Sequence, residues 1–142
     1  MANVEYDKFI MLQGLDLCHY MEPLVGDPRT NVSTHILNRM LAELPTYDEY
    51  HLVYALQLGA DHLPEVFIQH VPKYLASKHG SVFCMAFNIL DRLADKYITQ
   101  DLIDSAHGVA LSRRVENMVA KMLVRLEDRL RRSIEDGNGR VA

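Results

Sequence analysis

The sequence predicts an all-α protein, and three observations lead to that prediction. Apolar residues recur at spacings of three and four along almost the whole chain, and no segment alternates apolar and polar residues as a half-buried strand does. Short turns separate the apolar stripes. The 142 residues, of which 49% are hydrophobic and 24% charged, suffice to bury a core without disulfide or metal. We expect about seven helices.

The first predicted helix begins near Val4 and ends within residues 23–26, with Gly14 as a weak point. The second helix is capped by Asp27, which a first-turn proline follows, or alternatively by Asn31, and it ends before the next proline. The buried stripe of the first helix is predicted to contain Phe9, Leu12, Leu17, Tyr20, Met21 and Leu24.

The third predicted helix starts at a capping box, in which Thr46 and Glu49 satisfy each other's backbone amides. Its residues 50–58 are apolar on nearly all sides, so we expect it in the middle of the protein, covered from several directions. Gly59 and Asp61 are predicted to end it.

Four further helices are predicted in the second half of the chain. Pro64 opens the fourth, and Pro72 interrupts it with a kink or a short 3₁₀ turn. The fifth covers residues 81–96 and should be among the most buried, Thr99 caps the sixth and Ser112 caps the last. The predicted buried stripe of the last helix consists of Val115, Met118, Val119, Met122, Leu123, Leu126 and Leu130.

The domain prediction is a single helical domain over residues 1–136. A frayed tail over residues 137–142 follows it, because Gly137 and Gly139 end the last helix. No interior linker rich in Gly, Pro or Ser divides the chain. Two arrangements of the helices remain open, a compact bundle and a stack of helical hairpins.

Residues 63–96 favour the stack of hairpins, because they predict helix, tight turn and helix over a length typical of helical repeats. Within them, residues 80–93 have apolar positions around the small Ala86 and end in a Leu-x-x-Leu pattern at Leu90 and Leu93. This segment resembles the second helix of a HEAT-type repeat. The resemblance implies a short HEAT-like solenoid.

The net charge of −4 is unevenly distributed. Residues 1–111 carry 14 acidic and 7 basic side chains, a net charge of −7, whereas residues 112–142 carry a net charge of +3. Basic tails often contact nucleic acid, but here acidic residues are interleaved with the arginines, which is typical of a salt-bridged solvent face. The interleaved acids are Glu116, Glu127, Asp128 and Glu135.

Several catalytic signatures are absent from the sequence: GxxxxGK[ST], HExxH, GxSxG, GxGxxG and CxxC. We therefore expect no enzymatic activity and no cofactor. Three Asp-x-x-His pairs leave one alternative, a helical metal enzyme, because residues three apart share a helix face and could present a carboxylate and an imidazole to one metal. These pairs are Asp16 and His19, Asp48 and His51, and Asp104 and His107.

The remaining function class is binding to another protein. In fold class alone, such a short acidic helical chain resembles the immunity proteins with which bacteria neutralise toxins, and that resemblance implies an acidic face against a basic toxin site. With two cysteines, no signal-like N-terminus and no apolar run long enough for a membrane span, we expect a cytoplasmic protein. The predicted partner-binding residues are Tyr47, Asp48, Glu49, Tyr50, Tyr54, Asp61 and Glu65.

The stripe of the last helix has two predicted targets. It packs on the chain's own first helices, or it pairs with the same helix of a second copy and forms a homodimer. The second target supports an alternative function, that of a structural or adaptor protein acting as a homo-oligomer.

Overall fold

A computed structural model describes the backbone of residues 3–141 and the side chains of residues 3–136. Over that backbone, it contains α-helices, short 3₁₀ turns and no strand, so the all-α prediction is confirmed. An isolated parallel bridge joins Asn3 and Asn31. The helices are α1 (Tyr6–Met11), α2 (Gly14–Val25), α3 (Thr34–Glu43), α4 (Glu49–His62), α5 (Pro64–Phe67), α6 (Gly80–Asp91), α7 (Gln100–Arg113) and α8 (Glu116–Val141).

The contacts of the chain define two compact units, Met1–Phe67 and Ile68–Ala142. Their boundary lies inside the segment predicted as the fourth helix. That segment is broken into α5 and two 3₁₀ turns, Ile68–His70 and Pro72–Ala76. The 3₁₀ turn at Pro72 confirms the predicted interruption, because proline has no amide hydrogen for an α-helical bond. The single domain and the HEAT-like arrangement stay predictions.

The first unit is built around α4. Both α2 and α3 pack against it, as does α5. The predicted break at Gly59 and Asp61 is wrong, since α4 continues through both to His62. Gly59 serves close packing instead, because the buried ring of Phe67 lies where a Cβ atom at this position would stand. The buried residues of α4 are His51, Leu52, Tyr54, Ala55, Leu56, Leu58 and Gly59.

The first predicted helix is two helices in the structure. The α-helical hydrogen bonding stops after Met11 and starts again at Gly14, the predicted weak point. Gly14 has a φ of +53°, a left-handed conformation that favours glycine. The chain therefore turns between α1 and α2.

Two helix starts differ from the prediction. The hydroxyl of Ser33 caps α3 by accepting a hydrogen bond from the Ile36 amide, so neither Asp27 nor Asn31 is its cap. A capping residue directly precedes the first helical turn, and its side chain accepts a hydrogen bond from the amide three residues further along. Ser33 meets both conditions.

The capping box predicted at Thr46 is also wrong. Thr46 ends a 3₁₀ turn, Leu44–Thr46, and its hydroxyl donates to the carbonyl of Glu43. The cap of α4 is Asp48, whose carboxylate accepts from the His51 amide over 2.9 Å. Because the 3₁₀ turn Leu44–Thr46, which contains Pro45, occupies the predicted start, the α-helix begins two residues later than predicted.

In the second unit, α8 packs along α7 and against α6. Its seam consists of Val119, Met122, Leu123 and Leu126, which are buried. Met118, predicted to belong to it, is exposed, and the seam packs on α7 and α6 of its own unit. The fifth predicted helix, α6, ends at Asp91 and buries one stripe, so it is less enclosed than predicted.

The connection between α7 and α8 also differs from the prediction. Ser112 lies inside α7, where its hydroxyl donates to the Val109 carbonyl, and therefore does not cap α8. Arg114 ends α7 in the left-handed region, with φ of 58°. Thr99 caps α7 as predicted, by accepting from the Leu102 amide.

The outer side of α8 carries ion pairs with the chain around the end of α6. Arg125 lies 2.6 Å from the Asp91 carboxylate and Arg129 lies 2.8 Å from that of Asp95.

The last helix, α8, extends to Val141, past the glycines predicted to end it. The side chains of residues 137–142 lie outside the described residues, and the frayed tail stays a prediction. Over the described part of the chain, no helix is long and apolar enough to span a membrane.

Candidate functional site

The structure separates the four acidic residues that the sequence predicts to bind a partner on one acidic face. Asp48 and Glu49 lie at the start of α4, whereas Asp61 is near its end and Glu65 lies on α5. With a rise of 1.5 Å per residue, the two ends of this helix are about 20 Å apart. The four carboxylates therefore form two pairs rather than one face.

The predicted tyrosines also differ in their surroundings. Tyr54 is buried, and its hydroxyl donates to Glu22 Oε1 over 2.8 Å. Burial, followed by hydrogen bonding to Cys18 and Glu22, raises the pKa of Tyr54. Tyr50 is 46% exposed and is the predicted tyrosine best placed to touch a partner. Tyr54 belongs to the core of the first unit instead.

Removing the Tyr54 hydroxyl tests this assignment. We expect Tyr54→Phe to lower the free energy of unfolding by about 1 kcal/mol, because it loses a hydrogen bond while the exposed Glu22 stays solvated. Tyr50→Phe is the matched control and should change the free energy of unfolding by less than about 0.5 kcal/mol. Urea unfolding followed by circular dichroism measures both. Equal effects of the two variants would contradict the assignment.

Tyr47 belongs to an aromatic group that joins α1 to the start of α4. Its ring meets that of Phe9 edge to face, with centroids 5.5 Å apart, and its hydroxyl lies 2.9 Å from that of Tyr6. Phe9 also meets the imidazole of His51 edge to face at 5.0 Å. Burial and the hydrogen bond to Tyr6 raise the pKa of Tyr47. We call Tyr6, Phe9, Tyr47, Asp48 and His51 the histidine cluster.

His51 is the buried polar centre of this cluster. Its Nδ1 lies 2.8 Å from Asp48 Oδ1 and its Nε2 lies 2.9 Å from the carbonyl oxygen of Phe9. Partial burial of Asp48 acts to raise the pKa of its carboxyl, but the hydrogen bonds from the amide and the ring of His51 lower it overall. Tyr6, Phe9 and His51 were not among the predicted site residues.

Three exposed apolar side chains follow Phe9 of the histidine cluster closely along the chain. Met11 is 77% exposed and Leu15 is 75% exposed, and Ile10 beside them is also exposed. We call residues 10–15 the elbow. The sequence held a signal for it that was not used, since these three apolar residues lie off the predicted stripe of the first helix.

The negative charge of the chain is concentrated in the unit that carries the elbow. Residues 1–67 contain ten acidic and three basic residues, a net charge of −7, whereas residues 68–142 have a net charge of +3. Asp7 and Asp16, on either side of the elbow, are exposed. The elbow is therefore an apolar surface in acidic surroundings.

The Asp-x-x-His pairs do not assemble into a larger site. His51 is hydrogen bonded to Asp48, while His107 pairs with Glu127 of α8 at 2.8 Å rather than with Asp104. Among the described residues, no three His, Cys, Asp or Glu side chains lie together so as to hold a metal ion. The geometry thus offers no support for the metal-enzyme alternative.

Comparison with known proteins finds no match for this chain among protein-family models, curated proteins or solved structures. The class that the structure defines is an all-α protein with an acidic N-terminal unit and an exposed apolar elbow.

Proposed function

We propose that the chain is a non-enzymatic protein-binding domain, and that its acidic first unit holds a basic protein partner. The observation that carries the proposal is the exposed elbow, with Met11 and Leu15 each about three quarters exposed within a unit of net charge −7. Large exposed apolar side chains next to one another mark interaction surfaces more often than scattered ones do.

The acidic residues of the first unit and the apolar residues of the elbow would serve binding in different ways. Carboxylates around an interface steer a basic partner and raise its association rate, whereas apolar residues that become buried supply most of the affinity. Methionine suits such a contact because its flexible thioether adapts to irregular surfaces. Tyr50, next to His51 in the chain, adds an exposed ring with Glu49 beside it, and Asp61 and Glu65 add charge at the other end of α4.

We further propose that the partner is a toxin which acts on nucleic acid, so that the chain works as an immunity protein. The basic site of such a toxin would match the charge of the first unit. The proposal includes a cytoplasmic location. The two cysteines, Cys18 and Cys84, are both free thiols, which is typical of proteins in a reducing compartment.

A pull-down from the source organism with matched variants tests the binding surface. We expect the wild type to retain a basic protein at low salt and to lose it at high salt, because the charged groups are screened. The double variant Met11→Ser, Leu15→Ser should retain at least about tenfold less, since it removes the apolar contact. Leu111→Ser, at a site that is 67% exposed in the second unit, is the control and should bind normally.

Retention of the same proteins by the double variant and the wild type would contradict the elbow as the binding surface. If a basic partner is found, expressing it in a host cell tests the immunity role. Growth should be restored by the wild-type chain but not by the double variant. A partner without toxicity would leave the binding proposal standing and overturn the immunity role.

A second candidate function, homo-oligomerisation through α8, is favoured by a separate observation. Val124 and Met118 are exposed on this helix although its seam is already buried against α7. Ala120, Lys121, Val124 and Arg125 line a shallow depression on its outer side. Light scattering decides this: a dimeric mass that Val124→Asp converts to a monomeric one would support it, and a monomeric wild type would exclude it.

A further inference from the structure

We propose that α8 of one copy of the chain docks on the elbow of a second copy. The docking surface on α8, which we call the basic face, consists of the exposed residues Met118, Ala120, Lys121, Val124 and Arg125. The inference rests on the second candidate function, homo-oligomerisation through α8, and names the surface that this helix would meet. A foreign partner of the elbow would then compete with the second copy.

Exposed apolar side chains are concentrated at these two surfaces. Among the described residues, eight large apolar side chains are exposed, and five of them belong to the elbow or to the basic face. On α8 these are Met118 and Val124, which lie on either side of Lys121 at spacings of three residues and so share a side of the helix with it. Each surface therefore has apolar area that a contact would remove from water.

The charges around the two surfaces are opposite in sign. Residues 5–16 contain three acidic and one basic side chain, a net charge of −2, whereas residues 113–125 contain four basic and one acidic side chain, a net charge of +3. Asp7 and Asp16 near the elbow are exposed, as is Lys121 in the middle of the basic face. A contact between the two surfaces thus surrounds buried apolar groups with opposite charges, which favours association.

Ion pairs within the chain do not remove this complementarity. Lys8 lies 2.9 Å from the carboxylate of Glu5, and Arg125 pairs with Asp91. With the charges of these four residues left out, residues 5–16 still have a net charge of −2 and residues 113–125 one of +2.

The same charges explain why each surface should meet the other rather than its own copy. In a two-fold pair of basic faces, the same patch contacts itself, so Lys121 would meet the like-charged groups of the second copy. A pair of elbows would bring the acidic groups together in the same way. Juxtaposed like charges disfavour both arrangements, whereas the elbow on the basic face avoids them.

The two surfaces also complement each other in shape. Met11 and Leu15 are the most exposed large apolar residues among those described, so their side chains project from the elbow. The basic face contains a shallow depression lined by Ala120, Lys121, Val124 and Arg125. In the proposed contact Met11 enters this depression, because its flexible unbranched side chain adapts to an irregular surface.

Mixing two variants, each of which lacks one of the surfaces, tests the inference on the purified protein. The elbow variant is Met11→Ser, Leu15→Ser, and the basic-face variant is Val124→Asp; all three positions are exposed. Fluorescence anisotropy at low salt should show that each variant binds the other at least about tenfold more tightly than it binds itself. The wild type should bind itself, and about tenfold more weakly at high salt, where the charges are screened.

Two further variants give a second perturbation and a control. Lys121→Glu reverses the charge in the middle of the basic face and should weaken self-association as Val124→Asp does. Ile134→Ser changes an exposed position about 15 Å further along α8 and should associate like the wild type.

Two results would overturn the proposal, and they have different meanings. If the elbow variant binds itself as tightly as the wild type does while Val124→Asp stays monomeric, α8 pairs with α8, and only the candidate function remains. A wild type that is monomeric up to about 1 mM would overturn both.

Discussion

We expect Gly59→Ala to be among the most damaging single-methyl substitutions in the first unit. A Cβ atom at this position would lie 1.9 Å from Cδ2 of Phe67 and 2.1 Å from its Cγ, far inside van der Waals contact. The Phe67 ring is completely buried, so it has no open space into which it could move. Overpacking of this kind costs about 1–3 kcal/mol or more, and the better helix propensity of alanine offsets ~1 kcal/mol of it. The net loss of unfolding free energy should be about 1–2 kcal/mol.

Gly108 provides a matched control, because it also lies inside a helix. A Cβ atom there would meet nothing within 4 Å, and the residue is exposed. Gly108→Ala should therefore stabilise the protein by up to about 1 kcal/mol through helix propensity alone. Urea unfolding of both variants measures whether each substitution lowers or raises the free energy of unfolding. Stabilisation by both substitutions would show that Phe67 does not pack on Gly59.

The second large effect is expected for Leu123→Asp in α8. Leu123 is only 2% exposed within the seam that packs on α7, so the substitution places a carboxylate in an apolar contact without a partner. Either the carboxylate is buried without a partner, or the seam opens so that water reaches it. We expect either outcome to cost about 4 kcal/mol or more. We expect the second unit to lose its cooperative thermal transition.

The neighbouring residue Val124 is a control that receives the same carboxylate at an exposed position of the helix. Val124 is 64% exposed, so Val124→Asp should change the free energy of unfolding by no more than about 0.5 kcal/mol. Thermal unfolding followed by circular dichroism compares the pair. A Leu123→Asp variant that stayed fully folded and only halved its mass would mean that the seam joins two copies rather than α7 and α8.

Much of the helical architecture could be predicted from the sequence, because apolar periodicity reports which side of a helix is covered. The central position of α4 followed from residues 50–58, which are apolar on nearly all sides. Helix starts were harder, since Thr46 and Asp48 are both good caps and only the 3₁₀ turn around Pro45 decides between them. Gly59 was misjudged because its close contact with Phe67 is a tertiary feature.

The candidate site was less predictable than the fold. Charge density along the sequence placed four carboxylates together, but α4 separates them by its own length. Whether a tyrosine on α4 faces the core or water depends on where α2 packs, and Glu22 of that helix binds the hydroxyl of Tyr54. The elbow spans the break before Gly14, where the sequence predicted only a weak point in one continuous helix.

The most direct test of the central claim, that the elbow contacts a protein partner, is site-specific photo-crosslinking in the source organism. A photoreactive amino acid replaces Met11 in one variant and Leu111, also highly exposed but in the second unit, in another. The account predicts that irradiation gives a discrete adduct with a basic protein from position 11 and none with that protein from position 111. Absence of an adduct from position 11, or the same adduct from both positions, would contradict it.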